Sequence, residues 1–212
     1  MPNEIFEAIR NDDAERVSRL ITQDAANARA RDDAGVSAIM QAVYQRRHAI
    51  VDMLRRAPGD LDVFEAAAVG DKERLRSLLR ERPDTICSFS SDGFTPLHFA
   101  SFFSQPGAAE ALLEHGADPN AVATNGTKLA VINSAAASGS AELVKLLLRE
   151  GANPDSQQEG GYTALHSAAH NNNSEMVKVL LEAGADSSIR TNDGKTAADM
   201  AGPEVAKLLG KI

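Results

Sequence analysis

The nine residues Asp92-Gly93-Phe94-Thr95-Pro96-Leu97-His98-Phe99-Ala100 recur in weaker form on both sides of themselves, and this recurrence restricts the chain to a fold of stacked units. A close copy is Gly161-Tyr162-Thr163-Ala164-Leu165-His166-Ser167-Ala168, and Gly194-Lys195-Thr196-Ala197-Ala198-Asp199-Met200-Ala201 is a third. Taking Thr95 as the index, equivalent positions fall at Asn3, Ser37, Leu61, Thr95, Ala130, Thr163 and Thr196, separated by 34, 24, 34, 35, 33 and 33 residues. A unit of that size cannot bury a core by itself. Its apolar face must be covered by the units before and after it.

Each index position precedes a run of small residues, which predicts a helix whose first free N–H groups are capped by a short oxygen-bearing side chain. Asn3, Ser37, Thr95, Thr163 and Thr196 supply such oxygens, and Pro96 follows Thr95 where a missing N–H costs nothing. A second helix follows in each unit. Paired leucines (Leu78-Leu79, Leu112-Leu113, Leu147-Leu148, Leu180-Leu181, Leu208-Leu209) are expected on its inner face, each worth roughly 1.5–3 kcal/mol when buried.

Departures from the period are equally informative. The interval of 24 arises because Leu61-Asp62-Val63-Phe64 has no Asp-x-Gly turn before it, so the third unit lacks its loop. In the fifth unit Gly126 stands four residues before the index instead of two, which reads as a two-residue insertion. Unit two ends at Ala57-Pro58-Gly59, where proline stops the helix. Unit one presents Glu4, Glu7 and Arg10 outward, and unit seven is shortened between Ala201 and Glu204 and ends in Lys207, Lys211 and Ile212, so these two serve as caps. Asn172 stands where Gly70 and Gly139 close their helices, and asparagine tolerates the left-handed conformation needed there.

Thr95-Pro96-Leu97-His98-Phe99-Ala100 carries the pattern T-P-L-H-x-A, and along essentially all its length the chain resembles the ankyrin repeat family. The resemblance implies an all-α solenoid of about seven helix-turn-helix repeats with short β-hairpin fingers, one repeat lacking its finger, with residues 1–212 forming a single array. It also implies that His98 and His166 hydrogen-bond the backbone of neighbouring fingers, and that a protein partner binds the concave face of finger tips and first helices.

Composition narrows the classes further. A formal charge of −8 and a pI near 5.1 disfavour nucleic acid or an anionic membrane and favour a basic protein partner. Aromatics make up 4% of the chain and tryptophan is absent, so the core must be thin helices packed through Ala and Leu. Cys87 is the single cysteine, no signal-peptide pattern opens the chain, and no apolar run approaches a membrane span. A cytoplasmic monomer is expected.

No phosphate-binding loop, His-Glu-x-x-His or Gly-x-Ser-x-Gly motif is present, and His98 and His166 are too far apart in sequence to form a metal-ligand spacing. No enzyme, cofactor or metal is expected. His115, at a helix end, suits the dipole as a cation, and His48 is expected in solvent. Acidic pairs such as Asp12-Asp13 and Asp32-Asp33 read as turn and cap residues.

Partner-facing positions of the resembled family are the residue before the index and those seven and eight after it. Here these hold Phe94, Phe102 and Phe103, Tyr44 and Gln45, Tyr162, His170 and Asn171, and in repeat three Ala68 and Val69. Exposed aromatics in proximity mark interaction sites. The expected site is therefore a patch centred on Tyr44, Phe94, Phe102, Phe103 and Tyr162, with Asp92 and Glu159 giving charge selectivity alongside Asp33 and Asp193. Phe94, Phe102 and Phe103 also stand beside the missing finger and could instead fold inward to cover it. Two other readings stay open: a small-molecule or catalytic pocket in the gap near His98 and Cys87, and a regulatory subunit acting through convex residues such as Arg76, Lys145 and Lys178.

Overall fold

Seven short helices form at or beside the index positions, each followed by a partner running back along it. The computed structural model describes residues 2–210, with side chains from residue 4 onward. The first helices are α1 (Pro2–Arg10), α3 (Ala38–Tyr44), α5 (Val63–Val69), α7 (Pro96–Phe102), α9 (Val131–Ser138), α11 (Ala164–His170) and α13 (Ala197–Met200). The second helices are α2 (Ala14–Gln23), α4 (His48–Arg56), α6 (Lys72–Glu81), α8 (Pro106–Glu114), α10 (Ala141–Arg149), α12 (Ser174–Glu182) and α14 (Pro203–Leu208). First helices pack on first helices in chain order, and second helices pack pairwise from α2 to α4 and from α6 through to α14. Between α4 and α6 the joint is spanned by the Arg55–Asp71 ion pair at 3.6 Å.

The helices can lie close because small residues fill the interior. Ala66, Ala67, Ala100, Ala135, Ala136, Ala168 and Ala169 are all buried. The leucine rows are asymmetric. Leu78, Leu79, Leu112, Leu147 and Leu180 are buried, whereas Leu113, Leu148, Leu181 and Leu209 are only partly covered and Leu208 is 40% exposed. The second residue of a pair sits about 100° further round the helix and reaches the edge of the core. In the shortened last repeat Val205 takes the buried position, so of the ten leucines expected on the inner face five are fully buried, four pack against the edge of the core, and Leu208 alone turns outward.

Capping follows the sequence at most positions. Ser37, Thr95, Thr163 and Thr196 are N-caps, and Ala130 stands at the same place without a side-chain bond. Two assignments are corrected. Asn3 lies within α1 rather than before it, and its side chain is outside the described residues. The cap of α5 is Asp62 rather than Leu61: its carboxylate accepts from the Glu65 N–H while Glu65 accepts from the Asp62 N–H, both at 2.9 Å. This reciprocal box outweighs the spacing, and Leu61 is buried.

At the other end of the first helices one conformation repeats. Nine residues after the index, Asp12, Arg46, Gly70, Ser104, Gly139 and Asn172 all take positive φ, at 55°, 57°, 72°, 54°, 81° and 51°. Helix α4 has no such turn at its own end. Instead the Arg29 guanidinium donates to the carbonyls of Leu54, Ala57 and Gly59, each at 2.8 Å, satisfying acceptors that the helix leaves free.

The fingers are reduced to turns. Those of repeats two, four, six and seven close through one bond of span four, from the N–H of Asp32, Ser90, Gln158 and Thr191 to the carbonyl of Val36, Phe94, Tyr162 and Lys195. In repeat five the closing bond runs from Ala123 to Leu129, two residues wider, as the insertion requires. Among the described residues no strands form, only isolated bridges Arg31–Ser37 and Val122–Ala130.

Successive fingers are tied backbone to backbone: Thr124 N–H to Gly93 O at 2.9 Å, Glu159 N–H to Thr127 O at 2.8 Å, and Asn192 N–H to Gly160 O at 2.8 Å. His98 and His166 brace the same row. Each Nδ1 accepts from the threonine cap, and each Nε2–H donates to the next finger, to Leu129 O at 3.0 Å and Lys195 O at 3.2 Å. Burial lowers both imidazoles below the usual histidine value, so they stand neutral.

Candidate binding face

The missing finger of repeat three shapes this face. Between the turn of repeat two and that of repeat four lies an open slot of about 340 Å3, lined in part by Arg31, Asp62, Phe64, Glu65 and Asp92. No backbone bond joins the two flanking fingers, so side chains span the distance. Arg31 leans across to Asp62 at 2.8 Å and to the buried Glu65 at 3.3 Å. Tyr44, on the last turn of α3, donates its hydroxyl to the Asp92 carboxylate at 2.9 Å. Burial, and then this bond, raises the Tyr44 phenol above its ordinary value.

From Tyr44 a chain of rings runs into repeat four. Its ring lies 5.8 Å from Phe103, which stacks at 6.4 Å on Phe99; Phe99 meets Phe94 edge-on at 6.1 Å and Phe64 at 5.8 Å. Phe102 stands edge-on to Phe103 at 5.1 Å. Such tilted and edge-to-face pairs are the geometry that aromatic quadrupoles prefer. The two inward and outward readings of the phenylalanines divide between them. Phe103 and Phe94 are half-buried against the core, while Phe102 and Tyr44 remain 46% and 44% exposed.

The rings enclose a cavity of about 220 Å3 with Tyr44, Phe94, His98, Phe99, Phe102 and Phe103 in its wall. A larger groove of about 580 Å3 shares Tyr44, Phe102 and Phe103 and continues along Arg46, His48 and Gln105 to Ser138. Cavity and groove are thus adjoining parts of one surface.

Four of the five expected aromatics therefore come together, and Tyr162 does not join them: its ring partner is His166, at 6.0 Å. Glu159, His170 and Asn171 are exposed on repeat six, and Asp92 is exposed at the fourth finger. Gln45 is half-buried and donates to Gln41 at 3.1 Å. Ala68 and Val69, at partner-facing positions in sequence, are buried and lie in the floor of the larger groove that Phe102 and Phe103 also line. Cys87 is exposed and lines neither the aromatic cavity nor the slot, so it does not share a pocket with His98. His48 is exposed as expected, and the exposed His115 bonds the Ala111 carbonyl through Nδ1 at 2.7 Å.

Sequence reasoning missed Phe64, Phe99 and Ser134. A signal existed in the register: the position three after the index holds His98 and His166 but Met40 in repeat two, whose following finger is absent. On the opposite face, Lys72–Glu110 at 2.8 Å and Arg76–Glu114 at 3.2 Å pair charges between α6 and α8.

Among the described residues no group of three or more His, Cys, Asp or Glu side chains is placed to hold a metal ion. Nor is any helix long and apolar enough to cross a membrane.

Comparison with known proteins gives matches to the family models described as "Ankyrin repeats (3 copies)" over residues 132–211 and "Ankyrin repeat" over residues 92–124, together more than half of the chain. Among curated proteins, the chain is 40% identical over 103 residues to ankyrin repeat and SAM domain-containing protein 6 of Rattus norvegicus, covering 49% of this chain and 12% of that protein. It is 30% identical over 100 residues to delta-latroinsectotoxin-Lt1a of Latrodectus tredecimguttatus, covering 46% and 8%. It is 32% identical over 117 residues to neurogenic locus notch homolog protein 1 of Danio rerio, covering 55% and 4%. The matched stretch is thus a small part of each relative.

Proposed function

This chain belongs to the ankyrin repeat family, and we propose that it is a non-catalytic module that binds another protein through its concave face, with residues 1–212 acting as one array. The observation that carries this reading is the aromatic surface on repeats two and four. Tyr44 and Phe102 stay 44% and 46% exposed although Phe103, Phe99 and Phe94 behind them are packed. Large rings held rigidly at a surface are the residues that dominate binding energy.

Asp92 and Glu159 favour a basic partner, and Tyr162, Gln45, His170 and Asn171 extend the contact toward the two ends of the face. Phe94 and Phe103 support the patch from behind. The protein acts as a monomer in the cytoplasm, where the exposed thiol of Cys87 stays reduced.

The test is capture of partners from native extract by wild type and by Phe102→Ala and Tyr44→Ala variants, each shown by circular dichroism to be folded at the capture temperature. A protein retained by the wild type and lost by the variants supports the concave face. Equal retention moves the site to the convex side, where Arg76, Lys145 and Lys178 are the residues to change.

A further inference from the structure

We propose that the slot left by the missing finger receives a short extended segment of the partner chain: a main-chain carbonyl of that segment accepts from the Ser91 N–H, an apolar side chain rests on Phe64 and Phe89, and a lysine or arginine meets the acidic rim. This rests on the concave-face reading above and adds where one stretch of the partner lies and what holds it.

The row of fingers carries the argument. In repeats five, six and seven the second residue of the turn, Thr124, Glu159 and Asn192, donates its N–H to a carbonyl of the finger before it, at 2.8–2.9 Å. Ser91 holds that position in repeat four, in a turn closed by the same bond of span four as those of repeats six and seven. The finger before it is absent. Among the described residues the Ser91 N–H has no hydrogen-bond partner, and Ser91 is exposed in the wall of the slot. The first finger of the row has a free N–H as well, at Asp33, but no finger stands before it to make a second wall.

The opposite wall is already satisfied. Where no finger follows, at the gap and at the end of the array, an arginine covers the carbonyl equivalent to that of Gly93: Arg31 Nη1 donates to Gly35 O at 2.9 Å and Arg190 Nη1 to Gly194 O at 2.6 Å. The gap therefore keeps a main-chain donor and calls for an acceptor. A peptide carbonyl is the group that the three sister N–H groups take, and main-chain bonding of this kind holds extended segments at strand edges.

Side chains supply the preference. The slot measures about 340 Å3 with the Arg31 and Tyr44 bridges in place, so an occupant need not break them. Phe89 stands 45% exposed on its rim and Phe64 is half-buried, which suits an apolar side chain. The carboxylates of Asp62, Glu65 and Asp92 stand around one guanidinium, that of Arg31, so the rim keeps excess negative charge and a cation complements it.

The experiment titrates dodecapeptides, selected on the wild type from a random display library, against variants of the slot. The Gly93 N–H bonds the Ser90 carbonyl at 2.9 Å, and neither Ser91 nor Asp92 has positive φ, so Ser91 is the second residue of a turn that favours proline there. Ser91→Pro thus removes the N–H and keeps the turn, whereas Ser91→Ala keeps both. Expected are peptides carrying Lys or Arg near an apolar residue, weakened about three- to tenfold by Ser91→Pro, about tenfold by Phe89→Ala, and unchanged by Ser91→Ala. Peptides that ignore Ser91→Pro, or that lose as much with Ser91→Ala, overturn the assignment; if Phe102→Ala or Tyr44→Ala still weakens them the concave face stands, and indifference to those two as well overturns both readings. A library that yields no binder overturns the extended occupant and leaves the concave face to the capture experiment. Should Ser91→Pro not fold, hydrogen exchange of the wild type decides: the Ser91 amide should exchange about tenfold more slowly with peptide bound, and unchanged exchange overturns the assignment.

Discussion

Tyr44 and Asp92 lie 48 positions apart in sequence and are joined by a hydrogen bond of 2.9 Å that passes over an entire repeat. In a stack where each unit touches its neighbours, that contact exists only because repeat three has no finger to stand between them. Tyr44→Phe keeps the ring contact with Phe103 and removes the bond. The expected loss is about 1 kcal/mol, read in urea unfolding, with a larger loss for Tyr44→Ala, which removes the ring as well.

Gly93 holds φ at 83°, and a Cβ there would stand 2.9 Å from the Asn125 backbone nitrogen. Gly126 has nearly the same φ, 84°, and open space around it. Gly126→Ala should therefore cost about 1 kcal/mol for the left-handed conformation. Gly93→Ala should cost roughly 2–3 kcal/mol, because it also pushes the fourth and fifth fingers apart. Faster hydrogen exchange at the Thr124 amide, which bonds the Gly93 carbonyl, would locate the damage.

Ser104 closes α7 with φ at 54°, at the register where repeats three and five use glycine. It is exposed, so its side chain contributes little packing. Ser104→Gly should stabilise by roughly 0.5–1 kcal/mol, raising the melting temperature by about 1–4 °C if the array melts as one unit. A calorimetric scan checks both the shift and the cooperativity.

His98 and His166 are held neutral, chiefly by burial. Their folded pKa values lie below that of the unfolded chain, so as pH falls the unfolded state takes up protons first. The stability they confer is complete above pH about 6.5 and declines as the pH drops through that value. Urea midpoints measured from pH 7.5 to 5.5 should fall, and the fall should shrink in His98→Gln and His166→Gln variants.

Much of this architecture was legible in the chain. Helix caps and turn glycines are local: Ser37, Thr95, Thr163 and Thr196 cap because a short hydroxyl meets free N–H groups whatever surrounds it. The absent finger and the widened fifth one could be counted. The cap at Asp62 was written in the sequence as Asp-x-x-Glu but was hidden by trust in the period, at the one place where a deletion had broken the period. Leu208 failed for the same reason, in the shortened last repeat. The site was legible in part. Position along the helix pointed to Tyr44, Phe102 and Phe103, but the reach of Tyr44 to Asp92, the burial of Ala68 and Val69, and the separate place of Tyr162 depend on distances between repeats. Ser134 gave no sign, since a serine on a small-residue helix looks like any other.

The row of finger-to-finger bonds has one further property. Where main chain meets main chain, as from the Glu159 N–H to the Thr127 carbonyl, neither side chain takes part in the bond, and most substitutions at those two positions leave it in place. At repeat three the connection is made by Arg31 with Asp62 and Glu65 and by Tyr44 with Asp92, pairs that a single codon change can abolish or restore. Losing a finger has therefore converted one joint of the array from a fixed part into a heritable, adjustable one.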